Sequence, residues 1–309
     1  MAKTMIDESL HIPVLTEEVI QHLLIKRNGN YLDATSGFGG HSAAILEQLV
    51  NGSLIATDQD PEAISYLKSK FKSEERISIH QARFSQLDKL FNANDFDGIL
   101  ADIGVSSYQL NTAKRGFSFM KDGPLDMRMN QNIGEDASSW LSNASEKEIS
   151  SVVWKYGEEK KAKRIAKAIV EARKSIKIES TKELAEIILE EVPRRFNDKK
   201  HPATKTFQAI RILINNELDE LELLLDFISK HLKIGGRVCI ISFHSLEDRM
   251  VKRFFRDHSR RDPRLSKLPN LADDSSFKLV SKAIKPNDKE INVNPRSRSA
   301  VLRVIERIR

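Results

Sequence analysis

Short apolar runs alternate with amphipathic segments through the first hundred residues. The runs at 30–35, 53–58, 76–81 and 97–103 are β-favouring and mostly apolar. Strands buried on both sides of a parallel sheet read this way. Between them, 40–50 and 61–71 are long enough for helices, the second opening on Pro61, where a missing N–H costs nothing. Such alternation predicts βα units and an α/β fold. Residues 109–132 show neither period and read as a long ordered loop. Helical spacing follows. Ser145 with Glu148 and Ser180 with Glu183 are capping boxes. Ala162, Ile165, Ala166 and Ile169 form an apolar stripe opposite Lys160, Lys163, Arg164 and Lys167. One long helix is expected over 203–232, ended by Gly235 and Gly236. Strand signals return at 237–243, 277–284 and 299–305, with a helix at 245–257 that Ser245 and Asp248 would cap. The last two runs have no helix between them and are expected to pair antiparallel.

The expectation is therefore a seven-stranded, mostly parallel Rossmann-like sheet with its last strand antiparallel. Residues 1–110 and 216–309 would form the sheet domain, and 111–215 an all-helical insert. A length of 309 residues accommodates this, and 40% apolar with 30% charged residues suits a soluble globular chain. No apolar run reaches membrane-span length and residues 1–10 do not make a signal peptide, so a cytoplasmic place is expected. The single cysteine, Cys239, sits in an apolar run, which excludes a disulfide scaffold and predicts an inert buried thiol. The net charge of +6 is concentrated at 155–174, 194–205, 252–264 and the C-terminal arginines. That clustering favours a nucleic-acid partner over a uniformly solvated surface.

The chemistry is concentrated in Asp33-Ala34-Thr35-Ser36-Gly37-Phe38-Gly39-Gly40-His41-Ser42, after the first strand run. A second strand run ends on Asp58. Strand, glycine turn, helix, strand and acid is the layout of a nucleoside-cofactor site, with the acid on ribose hydroxyls. A nicotinamide dinucleotide would need Gly or Ala at the sixth loop position, which is Ser42, and its pyrophosphate would be repelled by Asp33. S-adenosylmethionine carries a sulfonium and an amino group that two carboxylates suit, so it is the favoured cofactor. Asp102, ending the fourth strand run, is the candidate for the reacting centre. A carboxylate accepting the N–H bonds of an exocyclic base amine restores density to nitrogen and takes up its proton. Phe84, past the third run, is placed either to pack on adenine or to join the core. His201 and His244 lack a second His or Cys at ligand spacing, so no metal is expected.

Six motifs now carry a resemblance. They are Gly37-Phe38-Gly39-Gly40-His41-Ser42, Asp102-Ile103-Gly104-Val105-Ser106-Ser107, Arg115-Gly116-Phe117-Ser118-Phe119, Asp122-Gly123-Pro124-Leu125-Asp126-Met127-Arg128, the stretch His201 to Ala209, and Ser242-Phe243-His244-Ser245-Leu246-Glu247-Asp248. Together, from His11 to the C-terminus, the chain resembles the bacterial small-subunit ribosomal RNA methyltransferase H (MraW) family. The resemblance implies a class I S-adenosylmethionine fold and methylation of the N4 of a cytidine in the 16S rRNA decoding centre, in the P site. It implies cofactor contacts at Gly39, Gly40, His41, Asp58, Phe84, Asp102 and Gln109, of which His41 and Gln109 come from the resemblance alone. Asp33 and Gly37 complete the expected cofactor set. Within or beside the same motifs, Arg115, Asp126, Arg128, His201, Lys205, Gln208, Arg211 and His244 become expected RNA contacts. The helical insert would recognise the rRNA, and the target base would be unstacked or flipped. The small ribosomal subunit is the implied partner, no membrane is involved, and a homodimer is compatible with this reading. Thr35 replaces the first glycine of the general methyltransferase motif. The competing readings are a methyltransferase for protein or DNA, an NAD oxidoreductase, and a non-catalytic RNA-binding assembly factor that keeps the cofactor fold as scaffold.

Overall fold

The computed structural model describes residues 13–91, 95–194, 196, 201–259 and 275–309. Residues 1–10 and parts of two basic clusters, including Arg195, Lys199, Lys200, Arg260, Arg261 and Arg264, lie outside the described residues. The chain divides into two compact units, one of Met1–Gly104 with Leu218–Arg309 and one of Val105–Glu217.

The first unit holds the sheet. Its strands are β1 (Asn30–Asp33), β2 (Ser53–Asp58), β3 (Ile77–Gln81), β4 (Phe96–Asp102), β5 (Leu232–Ser242), β6 (Phe277–Leu279) and β7 (Val301–Arg307). Their order is β3-β2-β1-β4-β5-β7-β6, parallel except that β7 runs antiparallel to β5 and β6. Alternate side chains of each strand enter opposite cores. Leu100, Cys239 and Ile241 pack with Val19 and Leu23 of helix Thr16–Leu23 and Ile45 of helix Gly40–Gln48. Ile99, Ala101, Val238 and Ile240 pack with Leu221, Leu225 and Ile228 of helix Glu217–His231 and Val251 and Phe255 of helix Ser245–His258. Full burial on both faces explains why these runs lack a polar period. Strand order reverses between β1 and β4, and ligands of open α/β sheets bind beyond the carboxyl ends of the strands at such a point.

The second unit is helical around its own core, in which Leu141, Ile149, Val153, Ile165, Ile169, Leu184, Ile188, Phe207 and Ile210 are buried. Both expected capping boxes form here, at Ser145 with Glu148 and at Ser180 with Glu183.

The structure corrects five expectations. The long helix is two helices, Thr204–Ile214 and Glu217–His231. Asn215 breaks it: its buried amide accepts from the Met129 N–H at 2.7 Å and donates to the Met127 and Arg211 carbonyls at 2.8 and 2.9 Å. Asn216 then turns left-handed at φ 51°. Gly235 and Gly236 do not end the second helix. It stops at His231, and the glycines sit inside β5, where Phe96 faces Leu232 but Gly98 faces Arg237. That register shift is a bulge, and Gly235 meets its φ of +77°. The cap of helix Ser245–His258 is His244 with Glu247, one residue earlier than Ser245 and Asp248. Asp248 instead accepts two hydrogen bonds from Arg303, at 2.7 and 3.0 Å. Finally, the 277–284 run yields only the three-residue β6 and an isolated bridge from Ile284 to Leu302. Loop 109–132 is also partly helical, over Ser107–Asn111 and Ala113–Arg115.

Asn215→Ala strands a buried N–H and a buried carbonyl in the second unit, at about 1–3 kcal/mol for each group left unmet. The variant is expected to unfold at lower urea with its helical circular dichroism retained before the transition. An unchanged midpoint would show that water replaces the amide.

Candidate cofactor site

The site is built around a carboxylate that solvent does not reach. Asp33, the last residue of β1, is 0% exposed. Its Oδ2 accepts from the Ser42 hydroxyl at 2.6 Å and its Oδ1 from the Thr35 N–H at 3.2 Å. Its own carbonyl accepts from Ser36 Oγ at 3.0 Å. The turn after β1 is thus sewn onto the strand end and onto the helix that follows. Thr35 extends the seam sideways, because its Oγ1 accepts from the Asp102 N–H at 2.6 Å. On the other side the Gly37 N–H donates to Asp58 Oδ2 at 2.8 Å, and the Asp60 N–H to Asp58 Oδ1 at 2.8 Å. One network therefore joins the ends of β1, β2 and β4.

The glycines have distinct tasks. Gly37 lies at φ +50°, and a Cβ there would meet nothing within 4 Å, so its face of the turn is open to a ligand. Gly39 lies at φ +75° as N-cap of helix Gly40–Gln48, and a Cβ there would come within 2.7 Å of Leu67 and Phe71. Gly40 packs on Pro13, which a Cβ would approach to 3.0 Å. The first N–H groups of this helix have no carbonyl partner within it, and helix starts of this kind can receive an anion.

His41, one residue into that helix, is 6% exposed. Its Nε2 stands 3.5 Å from Asp102 Oδ2, but neither ring nitrogen makes a hydrogen bond among the described residues, nor does Asp102 Oδ1. Burial lowers the affinity of the ring for a proton. The neighbouring Asp102, together with Asp33 and Glu290, outweighs this and leaves the imidazole above its ordinary value. Burial pushes Asp33 upward against the hydrogen bond from Ser42, and pushes Asp58 up to about 6. Glu290 had no signal in the sequence. It is placed by helix Asp288–Val293 and accepts from the Leu15 N–H at 2.7 Å.

Phe84 opens the short helix Phe84–Leu87 after β3 and is half-buried against the core that holds Ala82 and Leu87. His244 caps helix Ser245–His258, with Nε2 at 3.0 Å from Glu247 Oε1. Cys239 is buried, its thiol pushed up to about 12 by burial, and is inert as expected.

The remaining expected residues belong to the second unit, and most of them hold its backbone in place. Gln109 is buried, and its Oε1 accepts from the Ser106 N–H at 3.0 Å in a capping box. Arg115 is 0% exposed and donates to the carbonyls of Arg128 and Met129, so it cannot meet a phosphate from inside this core. Arg128 forks onto Asp126 at 2.8 and 2.9 Å, and Arg211 onto Glu217 at 2.7 Å twice. His201 lies on Phe119, ring centroids 4.7 Å apart, and burial with nearby Arg194 holds it below its ordinary range. Lys205 donates to the Glu158 carbonyl at 3.0 Å, and Gln208 to the Tyr156 carbonyl at 3.3 Å. Lys163 and Lys167 are exposed on the polar face of helix Ala162–Ala172, where Arg164 reaches Glu191 at 2.7 Å.

A sheet of this order, with an open glycine turn between carboxylates, defines a Rossmann-like S-adenosylmethionine-dependent methyltransferase. The model of the MraW methylase family matches residues 8–308. A "Ribosomal RNA small subunit methyltransferase H" of Xanthomonas oryzae pv. oryzae is 49% identical over 96% of this chain and 89% of its own length. The protein of the same name from Coxiella burnetii is 50% identical over 96% of this chain and 99% of its own. The chain belongs to the MraW methylase family.

The raised value of Asp58 gives a pH signature. In the ligand-free protein, whatever this group adds to stability is present below about 4 and is lost as pH rises through about 6. Ribose hydroxyls donating to the ionised carboxylate would pull the other way. The affinity for S-adenosylhomocysteine is expected to fall up to about tenfold per pH unit below that value. Asp58→Asn should flatten the dependence. Calorimetry between pH 5 and 7.5 measures it, and an equally steep profile in the variant would assign the titration elsewhere.

Proposed function

We propose that this chain transfers a methyl group from S-adenosylmethionine to the N4 amine of a cytidine in the decoding centre of 16S rRNA, at the P site, in the cytoplasm. Asp102 is the observation that carries the reading. It ends β4 beside the glycine turn, its backbone is clamped by Thr35, and its Oδ1 is without a hydrogen-bond partner among the described residues. Methyl transfer is an in-line displacement that asks the protein for positioning and for removal of one proton. An exocyclic amine, its pair conjugated with the ring, gains most from an acceptor at this point.

The cofactor contacts are Gly37, Gly39, Gly40, His41, Asp58, Phe84, Asp102 and Gln109. Asp58 is suited to the ribose and the start of helix Gly40–Gln48 to the methionine carboxylate. Asp33 acts from beneath, through Ser42 and Thr35, since it has no exposed surface. The helical insert recognises the rRNA, and the exposed Lys163 and Lys167 support that role better than Arg115, Arg128 or Arg211. Two methyltransferases named for small-subunit rRNA, each about half identical to this chain, support the substrate class. Among the described residues no helix is long and apolar enough to cross a membrane.

Labelled methyl from S-adenosylmethionine should appear in small-subunit RNA, in isolated RNA or in immature subunits, and map by mass spectrometry to a single cytidine. Absence of transfer to both, with cofactor bound, would leave the non-catalytic assembly factor. Asp102→Ala should lose transfer by about 10²-fold or more while the fold persists. Normal turnover in it would remove Asp102 from the reacting centre. Neutralising Lys163, Arg164 and Lys167 together should weaken RNA binding and reduce its salt slope by about 2–3. A slope equal to that of the wild type would make that helix a solvated face.

A further inference from the structure

The His41 imidazole is out of place as a simple core group. It is almost wholly buried, both ring nitrogens lack hydrogen bonds among the described residues, and it lies at the positive end of a helix. Each of these disfavours an imidazolium. Three carboxylates oppose them: Asp102 of β4 at 3.5 Å, Asp33 of β1, and Glu290 of helix Asp288–Val293. These come from three separate elements, so the negative charge is a property of the assembled pocket. Such a charge distribution favours a cation at the ring.

We propose that His41 supplies that cation in the cofactor-free site and gives up its proton when a sulfonium cofactor binds, so that Asp33, Asp102 and Glu290 hold one positive charge at a time. The inference rests on S-adenosylmethionine being the cofactor of the glycine turn. Its physical basis is that two buried cations near the same carboxylates repel, and the titratable one is discharged. S-Adenosylhomocysteine has the same adenosine, amino and carboxylate groups with a neutral sulfur, and does not displace the proton. The exchange also balances the reaction. As the methyl carbon leaves, the electron pair of the S–C bond stays on sulfur and the sulfonium charge vanishes. The amine pair forms the C–N bond, and the proton shed by nitrogen passes to Asp102 and on to His41 Nε2. His41 is thus a positioning and charge-compensating residue that acts through Asp102.

Proton counting tests this without turnover. Calorimetric binding at pH 6.5 in phosphate and in imidazole, whose ionisation heats differ, gives the protons released. Wild type is expected to release roughly 0.5–1 proton more with S-adenosylmethionine than with S-adenosylhomocysteine. His41→Gln should bind both with equal counts. Equal counts in the wild type, or an undiminished difference in the variant, would overturn the proposal. If the variant does not fold, ¹⁵N-histidine spectra of the wild type decide. Among its eight histidines, one imidazolium should become neutral with S-adenosylmethionine and stay charged with S-adenosylhomocysteine, and absence of such a resonance refutes it. Binding of neither ligand would overturn the cofactor reading along with it, and is recognised by the absence of any binding heat.

Discussion

Everything at the cofactor site depends on a carboxylate that has no contact with water. Asp33 is costly to bury as an anion, and it is tolerated because Ser42 and the Thr35 N–H satisfy its oxygens. In return it locks the turn between β1 and the next helix into one conformation. Thr35, held in that turn, fixes the backbone of Asp102, and Gly37, at its apex, meets Asp58. Three strand ends are registered by a handful of bonds. The departure from the general glycine motif at Thr35 is explained by the same network, since a glycine there would have no oxygen to offer Asp102.

Charge in this protein is spent in two ways. In the helical unit most of the conspicuous cations are occupied. Arg115 is sealed in the core, and Arg128 and Arg211 are forked onto carboxylates that fix the backbone. Ion pairs of this kind specify loop conformation, and removing one partner costs far more than the pair contributes. Among the described residues of this unit, Lys163 and Lys167 are exposed on a helix face, and lysines can follow phosphates without set geometry. In the sheet unit the accounting is reversed. Asp33, Asp102 and Glu290 concentrate negative charge around one histidine.

The order of βα units, the sheet and its polar strand ends were legible in the chain itself, because strands buried on both faces must be apolar throughout and then stop abruptly at polar residues. The glycine turn, Asp58 and Asp102 were found by that logic, and local capping chemistry located the helix starts at Ser145 and Ser180. Where a neighbour in space competes with a local signal, the local signal failed. Asn215 looks like one more polar residue in a long helix until Met127 and Met129 come to meet its amide. Asp248 is drawn from the expected cap by Arg303, and Gly235 serves a bulge opposite β4.

The amino-acid sequence by itself determined the fold class, the cofactor turn and the family, since these depend on period, spacing and contiguous motifs that a chain carries whether folded or not. Tertiary structure alone decided which of those residues are buried and what they are bonded to. Asp33 and Arg115 read as binding groups and are buried supports, while Glu290, with no motif around it, joins the charge around His41. The physical reason is that burial and electrostatic partnership are sums over neighbours distant in the chain, and local pattern does not encode who those neighbours are.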